Sequence, residues 1–323
     1  MAKVYYDEDA NLELLGGKTM EKSYVFFDGK IMDEKDVNLS IRNKAFNYGL
    51  ACFEGIRAYY DEDTKQLYGF RLREHYERLL QSCKALYLDI PYTVDELVDI
   101  TVELLRKNNF KTTTYIRPMA YKGSNDIAPT LMDDDNRLLI YCMPMGSYTG
   151  KKALKVAVSS WARIEDNMIP ARTKPSAAYL NSGLASLEVL RKGYDEAIFL
   201  TRNGHVCEGP GENIFMVRKG KLVTPPASDN ILEGITRDTV MQLAREELGM
   251  EVVERSITRT ELYAADELFF SGTAMEVTPI CEVDDRKVGN GVESNVCSKL
   301  QELFSKLTVG KLEKYSDFCT KIY

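Results

Sequence analysis

The sequence predicts a mixed α/β fold in two domains, and three observations support this prediction. The chain has 323 residues, a length typical of about two domains. Strand-like and helix-like patterns occur in both halves of the chain. Between the halves, residues 144–151 contain one proline and two glycines, which is typical of a linker. We therefore expect a small N-terminal α/β domain over residues 20–144, a linker over 145–152 and a larger C-terminal domain over 153–323.

Residues 1–19 differ in pattern from the rest of the chain and resemble the opening residues of ketol-acid reductoisomerases. No GxGxxG motif comes after them, so they do not imply a dinucleotide-binding domain. We expect either a flexible tail or a fused leader, with Met20 as the older start of the chain.

In the N-terminal half, the patterns predict a hairpin, two helices and further strands. The Asp28-Gly29 turn within residues 24–31 is a hairpin signal. A stretch with two glycines, 47–59, is typical of a strand or a bulge. The predicted helices are 71–86, which has an apolar stripe, and a second one that begins at the capping box of Thr93 and Glu96. The predicted strands are 113–118 and 138–142, separated by a polar loop, 123–136, that we expect to be mobile.

The C-terminal half continues with alternating strands and helices. A helix over 178–193 has its C-terminal glycine at Gly193, and another helix begins after Gly234 and ends before Gly249. A glycine-rich turn over 206–213 precedes one of the strands. The predicted strands are 154–158, 197–200, 214–217, 222–223 and 267–274, and the final helix is 295–307.

Composition excludes several classes of function. The net charge is −7, from 42 Lys+Arg and 49 Asp+Glu, and no long basic run suggests nucleic-acid binding. No apolar stretch reaches the length of a membrane span. The seven cysteines lack CxxC spacing, which is typical of free thiols in the cytoplasm. With only two histidines, we expect neither a zinc site nor a histidine-based triad, so another group would move protons.

A lysine in a constrained turn is the main candidate for chemistry. Lys174 precedes Pro175, which favours an extended backbone at the lysine. Glu208 lies in a glycine-rich turn, and the helix start at Thr236 and the turn at Thr273 offer backbone donors to an anion. An amine, a carboxylate and phosphate donors are the set that pyridoxal phosphate requires. Each feature alone also has a plain structural interpretation, since most lysines are surface residues.

Five motifs occur in register, and together they resemble the branched-chain amino acid aminotransferases, of the fold-type IV class of pyridoxal phosphate enzymes. The resemblance covers about residues 22–310. It implies a D-amino acid aminotransferase-like fold: a small α/β domain, a larger pseudo-barrel domain and the cofactor between them. It also implies a homodimer or a dimer-based assembly. The motifs are Phe53–Arg57, Lys174 with Tyr179, Glu208–Asn213, Gly234–Asp238 and Ser271–Ala274.

The resemblance implies roles for individual residues toward pyridoxal 5'-phosphate. Lys174 would bind the cofactor covalently and act as the catalytic base. Glu208 would pair with the ring nitrogen, and Tyr179 would bond the ring oxygen. The phosphate would be held by Arg78, Ile235, Thr236 and Thr273. From the residues alone, Arg78 is predicted to be a surface arginine, because it lies beside the apolar stripe of its helix.

The resemblance also implies a substrate site. The α-carboxylate would be held by Tyr115 and the amides of Thr273 and Ala274. Arg117 and Tyr48 would accept the distal carboxylate of glutamate. The apolar side-chain pocket would be lined by Phe53, Tyr48, Tyr148 and Tyr179. The chain departs from the family at Met145, where a tryptophan is frequent, and in the loop after Tyr121.

The implied activity is reversible, ping-pong transfer of the amino group between leucine, isoleucine or valine and 2-oxoglutarate. Its partners would be these amino acids, glutamate and the corresponding 2-oxo acids. Two other reactions on the same fold remain as alternatives: a D-amino acid transaminase and an aminodeoxychorismate lyase. A more remote alternative is a binding protein that has the fold without the chemistry.

Overall fold

The computed structural model describes residues 22–146, 148–289 and 295–323. The predicted leader, 1–19, and the proposed older start at Met20 lie outside these residues. The described chain forms two eight-stranded sheets with helices packed on them. Among the described helices, none is both long enough and apolar enough to cross a membrane.

The first sheet is antiparallel and contains the N-terminal strands together with the last strand of the chain. Its order is β16-β5-β4-β6-β7-β1-β2, and β3 pairs with β6 beside β4. Phe27 pairs with Lys30, so the hairpin predicted at Asp28-Gly29 is confirmed. The strands are β1 (Tyr24–Phe27), β2 (Lys30–Asp33), β3 (Ala51–Phe53), β4 (Ile56–Asp61), β5 (Gln66–Phe70), β6 (Thr114–Lys122), β7 (Asn136–Pro144) and β16 (Cys319–Lys321).

Two long helices cover one face of this sheet. They are α2 (Leu72–Ala85) and α3 (Val94–Asn108), and the short helix α1 (Lys44–Tyr48) precedes β3. The capping box predicted at Thr93 and Glu96 is present. The predicted stripe of α2 is buried at Leu72, Leu79 and Cys83, because these residues pack into the core of the first sheet.

The C-terminal residues return to the first sheet. Strand β16 pairs with β5, and Ile322 is fully buried in the same core as α2 and α3. The last strand of the predicted C-terminal domain, 153–323, therefore lies in the first sheet and not in the second. Sequence pattern alone could not reveal this, since strand partners so far apart in the chain leave no local signal. The domain division remains a prediction.

The second sheet is mixed and contains the strands from the centre of the chain. Its order is β12-β11-β10-β13-β14-β8-β9, with β15 paired to β14. Strand β8 is parallel to both of its neighbours, and β11 is parallel to β12. The strands are β8 (Leu154–Ala162), β9 (Glu196–Leu200), β10 (Asn213–Arg218), β11 (Lys221–Thr224), β12 (Val252–Glu254), β13 (Glu267–Gly272), β14 (Glu276–Val283) and β15 (Arg286–Lys287).

Four helices accompany the second sheet: α4 (Tyr179–Leu190), α5 (Ile235–Glu246), α6 (Arg259–Leu262) and α7 (Asn295–Thr308). Gly193 and Gly249 follow α4 and α5 with positive φ angles of 87° and 61°, as expected of glycines after a helix end. Val240 and Leu243 of α5 pack with Leu300 and Phe304 of α7 in one core.

The polar loop 123–136, which we expected to be mobile, is anchored by a buried cation. The Lys44 side chain is fully buried, and its Nζ lies 2.6 Å from an oxygen of Asp133 and 3.0 Å from an oxygen of Asp126. Lys122, also buried, donates to the backbone carbonyl of Asp133. Since removing one partner would leave a buried charge unpaired, these contacts hold the loop against α1 and β6.

Candidate active site

A cavity of about 380 Å³ is lined by residues of both sheets. It gathers twelve of the thirteen side chains that the sequence analysis assigned to cofactor or substrate. They come from eight separate regions of the chain and meet only in the folded protein. They are Phe53, Arg78, Tyr115, Arg117, Tyr148, Lys174, Tyr179, Glu208, Ile235, Thr236, Thr273 and Ala274.

Tyr48 is the exception, and its place in the substrate pocket stays a prediction. It is not among the residues that line the cavity. The side chain is 39% exposed, and its hydroxyl donates to the backbone carbonyl of Ile127 across 2.6 Å. The chain reverses at Gly49, whose φ of 68° ends α1, so Tyr48 faces the loop 123–136 within a single chain.

Lys174 lies in a turn that is tied to the first sheet. Its carbonyl accepts a hydrogen bond of 3.1 Å from the amide of Phe53, and Pro175 forms a β-bridge with Cys52. The amine lies 5.3 Å from the ring centroid of Phe53 and 5.5 Å from that of Tyr179. Within the described part of the chain, no carboxylate forms an ion pair with this amine. The turn therefore places the amine over two aromatic rings.

Glu208 is a buried carboxylate with three donors. Arg163 Nη2 lies 2.8 Å from Oε1, while Oε2 accepts from Asn213 Nδ2 at 3.1 Å and from the amide of Leu232 at 3.0 Å. Burial raises the pKa of Glu208, and Arg163, the Leu232 amide and Lys174 oppose that rise. The carboxylate is thus fixed in orientation and able to pair with a protonated ring nitrogen.

The start of α5 lies at the cavity wall and is suited to hold an anion. Its cap residue is Gly234, which has no side chain to accept hydrogen bonds from the first turn. Ile235 and Thr236 therefore present first-turn amides at the positive end of the helix dipole, and both residues line the cavity. A Cβ at Gly234 would collide with Asn213 Oδ1, so only glycine fits beside the donor to Glu208.

Arg78 is not the surface arginine that its position beside the helix stripe suggested. Its side chain is only 12% exposed. Nε and Nη2 pair with the two oxygens of Glu54 at 2.8 Å and 2.7 Å, and Nη1 donates to the carbonyl of Glu233 across 2.8 Å. The guanidinium is therefore held beside the N-terminus of α5, at the wall of the cavity.

The turn between β13 and β14 is tied to the first sheet. The hydroxyl of Thr273 donates to the carbonyl of Gly55 across 2.8 Å. Arg57, which is 3% exposed, donates to the carbonyls of Thr273 and of Gly146 and lies 3.2 Å from an oxygen of Glu276. These contacts fix the amides of Thr273 and Ala274 relative to the rest of the cavity.

The wall formed by Phe53, Tyr115 and Arg117 combines apolar and cationic character. Arg117 donates to the hydroxyl of Tyr115 from Nε at 3.0 Å and from Nη2 at 2.6 Å, and its guanidinium carbon lies 4.1 Å from the ring centroid of Phe53. Burial raises the pKa of Tyr115, and Arg117 opposes that rise. A Cβ at Gly55 would lie 2.7 Å from the Tyr115 hydroxyl, so glycine leaves room for this ring.

Comparison with known proteins identifies the family. The model of the family described as "Amino-transferase class IV" matches residues 51–283. A probable branched-chain-amino-acid aminotransferase of Aquifex aeolicus is 46% identical over 307 residues, covering 95% of this chain and 99% of its relative. The chain belongs to the class IV aminotransferases.

Solved structures of class IV aminotransferases have the same fold. The chain is similar to the branched-chain aminotransferase of Thermoproteus uzoniensis with norvaline, with a TM-score of 0.89 and 45% identity over 94% of this chain and all of that one. It is also similar to the branched-chain amino acid aminotransferase of Thermobaculum terrenum in its PLP form, with a TM-score of 0.90 and 37% identity over the same shares. The predicted fold-type IV architecture is confirmed.

Class IV aminotransferases use pyridoxal 5'-phosphate, and the donor set of this cavity fits that cofactor. Lys174 supplies an amine, Glu208 a buried carboxylate, and α5 a helix start whose cap residue, Gly234, has no side chain. The buried hydroxyl of Ser271 lines the same cavity and has no hydrogen-bond partner among the described residues. The predictions of a pyridoxal phosphate cofactor and of a transaminase are thus confirmed, while the roles of individual residues remain proposals.

Three residues of this class IV site were missed by sequence reasoning. Arg163 follows β8 without any motif, so no local signal pointed to it. Glu54 lies within the motif 53–57, and Asn213 ends the motif 208–213, but neither residue was given a role. Arg163 and Asn213 line the cavity and Glu54 lies beside it, but each of the three acts through a contact with another side chain, which pattern alone could not predict.

Proposed function

We propose that the chain is a branched-chain amino acid aminotransferase that transfers the amino group reversibly between leucine, isoleucine or valine and 2-oxoglutarate. The observation that carries this proposal is the wall formed by Phe53, Tyr115 and Arg117, because it offers one pocket both an aromatic surface and a cation. An apolar side chain packs against the rings, while the distal carboxylate of glutamate pairs with the guanidinium.

The substrate is held at its α-carboxylate by neutral donors. The hydroxyl of Tyr115 and the amides of Thr273 and Ala274 line the same part of the cavity. Arg57 and Gly55 fix the turn that carries these amides. The α-carboxylate is therefore fixed by groups that do not depend on the side chain of the substrate, so both substrates present Cα to Lys174.

Lys174 moves the proton. When bound, pyridoxal 5'-phosphate supplies the electron sink that makes the Cα–H bond acidic. The Lys174 amine would take the proton from Cα and would return it at the C4' atom; its turn is fixed because Phe53 donates to its carbonyl and Pro175 is bridged to Cys52. Glu208 holds the proton on the ring nitrogen, and Arg163 and Asn213 keep the carboxylate aimed at it. The second half of the ping-pong cycle uses the same groups in reverse.

The proposal includes a cytoplasmic homodimer or an assembly of such dimers. Large apolar side chains are exposed around α1 and the loop 123–136, including Ile41 at 81%, Phe46 at 78%, Ile127 at 88% and Met132 at 87%. A patch of this kind is typical of a surface that is covered by a partner. Tyr48 lies at the same surface, which supports its role in a pocket completed by the second chain. Analytical ultracentrifugation of the purified protein would show a monomer if this part is wrong.

The experiment that tests the activity compares amino donors with 2-oxoglutarate as acceptor. We expect glutamate to form from L-leucine, L-isoleucine and L-valine, and D-alanine to be inactive. Faster turnover of D-alanine would instead indicate a D-amino acid transaminase, and release of pyruvate from aminodeoxychorismate would indicate a lyase. A titration with single amino acids, followed by the absorbance of the bound cofactor, shows directly whether each half of the reaction proceeds.

A further inference from the structure

Glu54 is a fully buried carboxylate that lies beside the cavity without lining it. It occupies the short connection between β3 and β4, and its amide donates to the carbonyl of Pro118 across 2.9 Å. Its carboxylate faces α2 rather than solvent. A buried carboxylate is costly unless charged partners surround it, so its partners determine what it does.

Two side chains of α2 surround Glu54. Arg78 contacts both carboxylate oxygens, through Nε at 2.8 Å and Nη2 at 2.7 Å, and His75 Nδ1 lies 2.8 Å from Oε2. Burial raises the pKa of Glu54, but Arg78 and His75 outweigh it and hold the pKa well below its usual range. Burial also lowers the pKa of His75, so a neutral imidazole donates its Nδ1 proton to an ionised carboxylate.

The remaining hydrogen-bonding capacity of Arg78 is defined by these contacts. A guanidinium has five N–H groups in a fixed plane. Two of them point to Glu54, and one Nη1 proton points to the carbonyl of Glu233. One N–H on each terminal nitrogen is left, and Arg78 lines the cavity beside Ile235 and Thr236. We call these two N–H groups the free edge of Arg78, and charge-assisted donors of this kind suit the oxygens of a phosphate.

We propose that Glu54 is a positioning residue for the phosphate of the cofactor. It fixes the plane of the Arg78 guanidinium so that the free edge meets the phosphate beside the start of α5. Because the Arg78–Glu54 pair is neutral as a whole, it contributes directed N–H donors rather than net charge. This inference rests on the proposed role of Arg78 as a phosphate ligand.

A purely structural role for Glu54 predicts something different. Helix α2 is already packed on the first sheet by Leu72, Tyr76 and Leu79, which are fully buried. A structural role would alter stability and would weaken binding of every form of the cofactor equally. A positioning role acts only where a phosphate is present, and only while Arg78 is present.

The test measures the affinity of full-length protein, freed of cofactor, for pyridoxal 5'-phosphate and for pyridoxal, which lacks the phosphate. The variants are Glu54→Gln, Arg78→Ala and the double variant. Glutamine keeps the shape of glutamate but loses one of the two acceptor contacts to Arg78. We expect Glu54→Gln to weaken binding of pyridoxal 5'-phosphate by about tenfold or more and to leave binding of pyridoxal unchanged. In the Arg78→Ala background, Glu54→Gln should have no further effect.

A matched control is Glu74→Gln, which removes a half-buried carboxylate of the same helix that pairs with Arg71 instead. It should leave the ratio of the two affinities unchanged. If Glu54→Gln does not fold, Glu54→Asp provides the same test, because the shorter side chain keeps its charge but cannot span both contacts. That variant should show the same selective loss.

Two results would overturn the inference: equal losses for both ligands in Glu54→Gln, or the same loss with and without Arg78. Stronger binding of pyridoxal 5'-phosphate by Glu54→Gln would also overturn it, since the carboxylate would then act through its charge. If Arg78→Ala binds both ligands as the parent does, the role of Arg78 itself is wrong. That outcome is distinguishable from a failure of Glu54 alone.

Discussion

Arg163 Nη2 donates to Glu208 Oε1 across 2.8 Å, and the two side chains are 13% and 4% exposed. The arginine lies 5.4 Å from the ring centroid of Phe199, so its guanidinium is packed as well as paired. An ion pair this far from water has a strong effect on the protonation of both partners. Arg163 therefore sets how easily Glu208 gains a proton, and thereby how well Glu208 serves the ring nitrogen.

The first prediction concerns the pH profile of Arg163→Met. Burial raises the pKa of Glu208 and Arg163 opposes this, so removal of the guanidinium raises that pKa further. The carboxylate then takes up its proton at a higher pH. We expect the acid limb of the kcat/KM profile to move to higher pH. The control is Arg202→Gln, which removes an exposed arginine with a long 3.8 Å contact to Glu165, and its profile should match the parent. An unmoved limb in Arg163→Met would contradict the assignment of Glu208.

The second prediction separates the two substrates. Arg117→Leu removes the cation from the wall beside Phe53 but keeps an apolar side chain there. We expect kcat/KM for glutamate to fall by about ten- to a hundredfold, the range of a hydrogen bond to a charged group, while the value for leucine changes little. Steady-state kinetics with each amino acid measures both. Equal losses for the two substrates would show that Arg117 does not contact the distal carboxylate.

The third prediction tests the fit around Gly234. An added Cβ would meet Asn213 Oδ1, and Asn213 donates to Glu208 and to the carbonyl of Leu232. Gly234→Ala should therefore displace Asn213 and weaken cofactor binding, measured by absorbance titration. Gly183→Ala is the matched control, because Gly183 is an exposed residue of α4 whose added Cβ meets no atom within 4 Å. Unchanged affinity in Gly234→Ala would mean that this contact is relieved at no cost to the site.

The fourth prediction is a pH dependence of stability at Glu188 on α4. A hydrogen bond from Lys192, together with those from Ser159 and Ser160, lowers the pKa of Glu188 from 4.5 to about 2. A lowered folded-state pKa stabilises the protein above the unfolded value, and this contribution is lost as the pH falls through the folded value. The difference in free energy of unfolding between the parent and Glu188→Gln should be largest above pH 4.5 and should shrink toward pH 2.

Denaturant unfolding at several pH values measures this difference. The control is Glu77→Gln, at an exposed glutamate of α2, which should follow the parent at each pH. A constant difference between the parent and Glu188→Gln across the acid range would contradict the linkage.

Much of the fold follows from local sequence signals. The helix predicted over 71–86 is observed over 72–85, and the final helix, predicted over 295–307, is observed over 295–308. Glycines after helices and a capping box lie where the pattern placed them. These features are local because each depends on residues a few positions apart.

The features that were missed depend on distant partners. Strand β16 pairs with β5, about 250 residues earlier in the chain. Lys44 is a charged residue that reads as exposed, yet it is fully buried because Asp126 and Asp133 surround it. Arg78 was likewise predicted to be a surface residue. It is buried because it pairs with Glu54, which lies on another element of the fold. Hydrophobic periodicity predicts burial among apolar neighbours, but it does not predict the burial of a charged residue in an ion pair.

Most residues that line the candidate site were predicted from the sequence, but the side-chain contacts that hold them in place were not. Motifs in register gave cavity residues, including Lys174 and Glu208, and each of these lines the cavity. Tyr48 does not line the cavity of a single chain, because its hydroxyl donates to the carbonyl of Ile127, and its role in the substrate pocket stays a prediction. The contacts of Arg163, which lines the cavity, and of Glu54, which lies beside it, required the structure.

The covalent role of Lys174 is the central claim, and one measurement tests it most directly. Holoprotein is reduced with borohydride and digested, and the peptides are analysed by mass spectrometry. We predict that the phosphopyridoxyl group is attached to Lys174, with Lys44 and Lys122 unmodified as buried lysines outside the cavity. The group on any other lysine, or its absence from a reduced, fully loaded protein, would contradict the account.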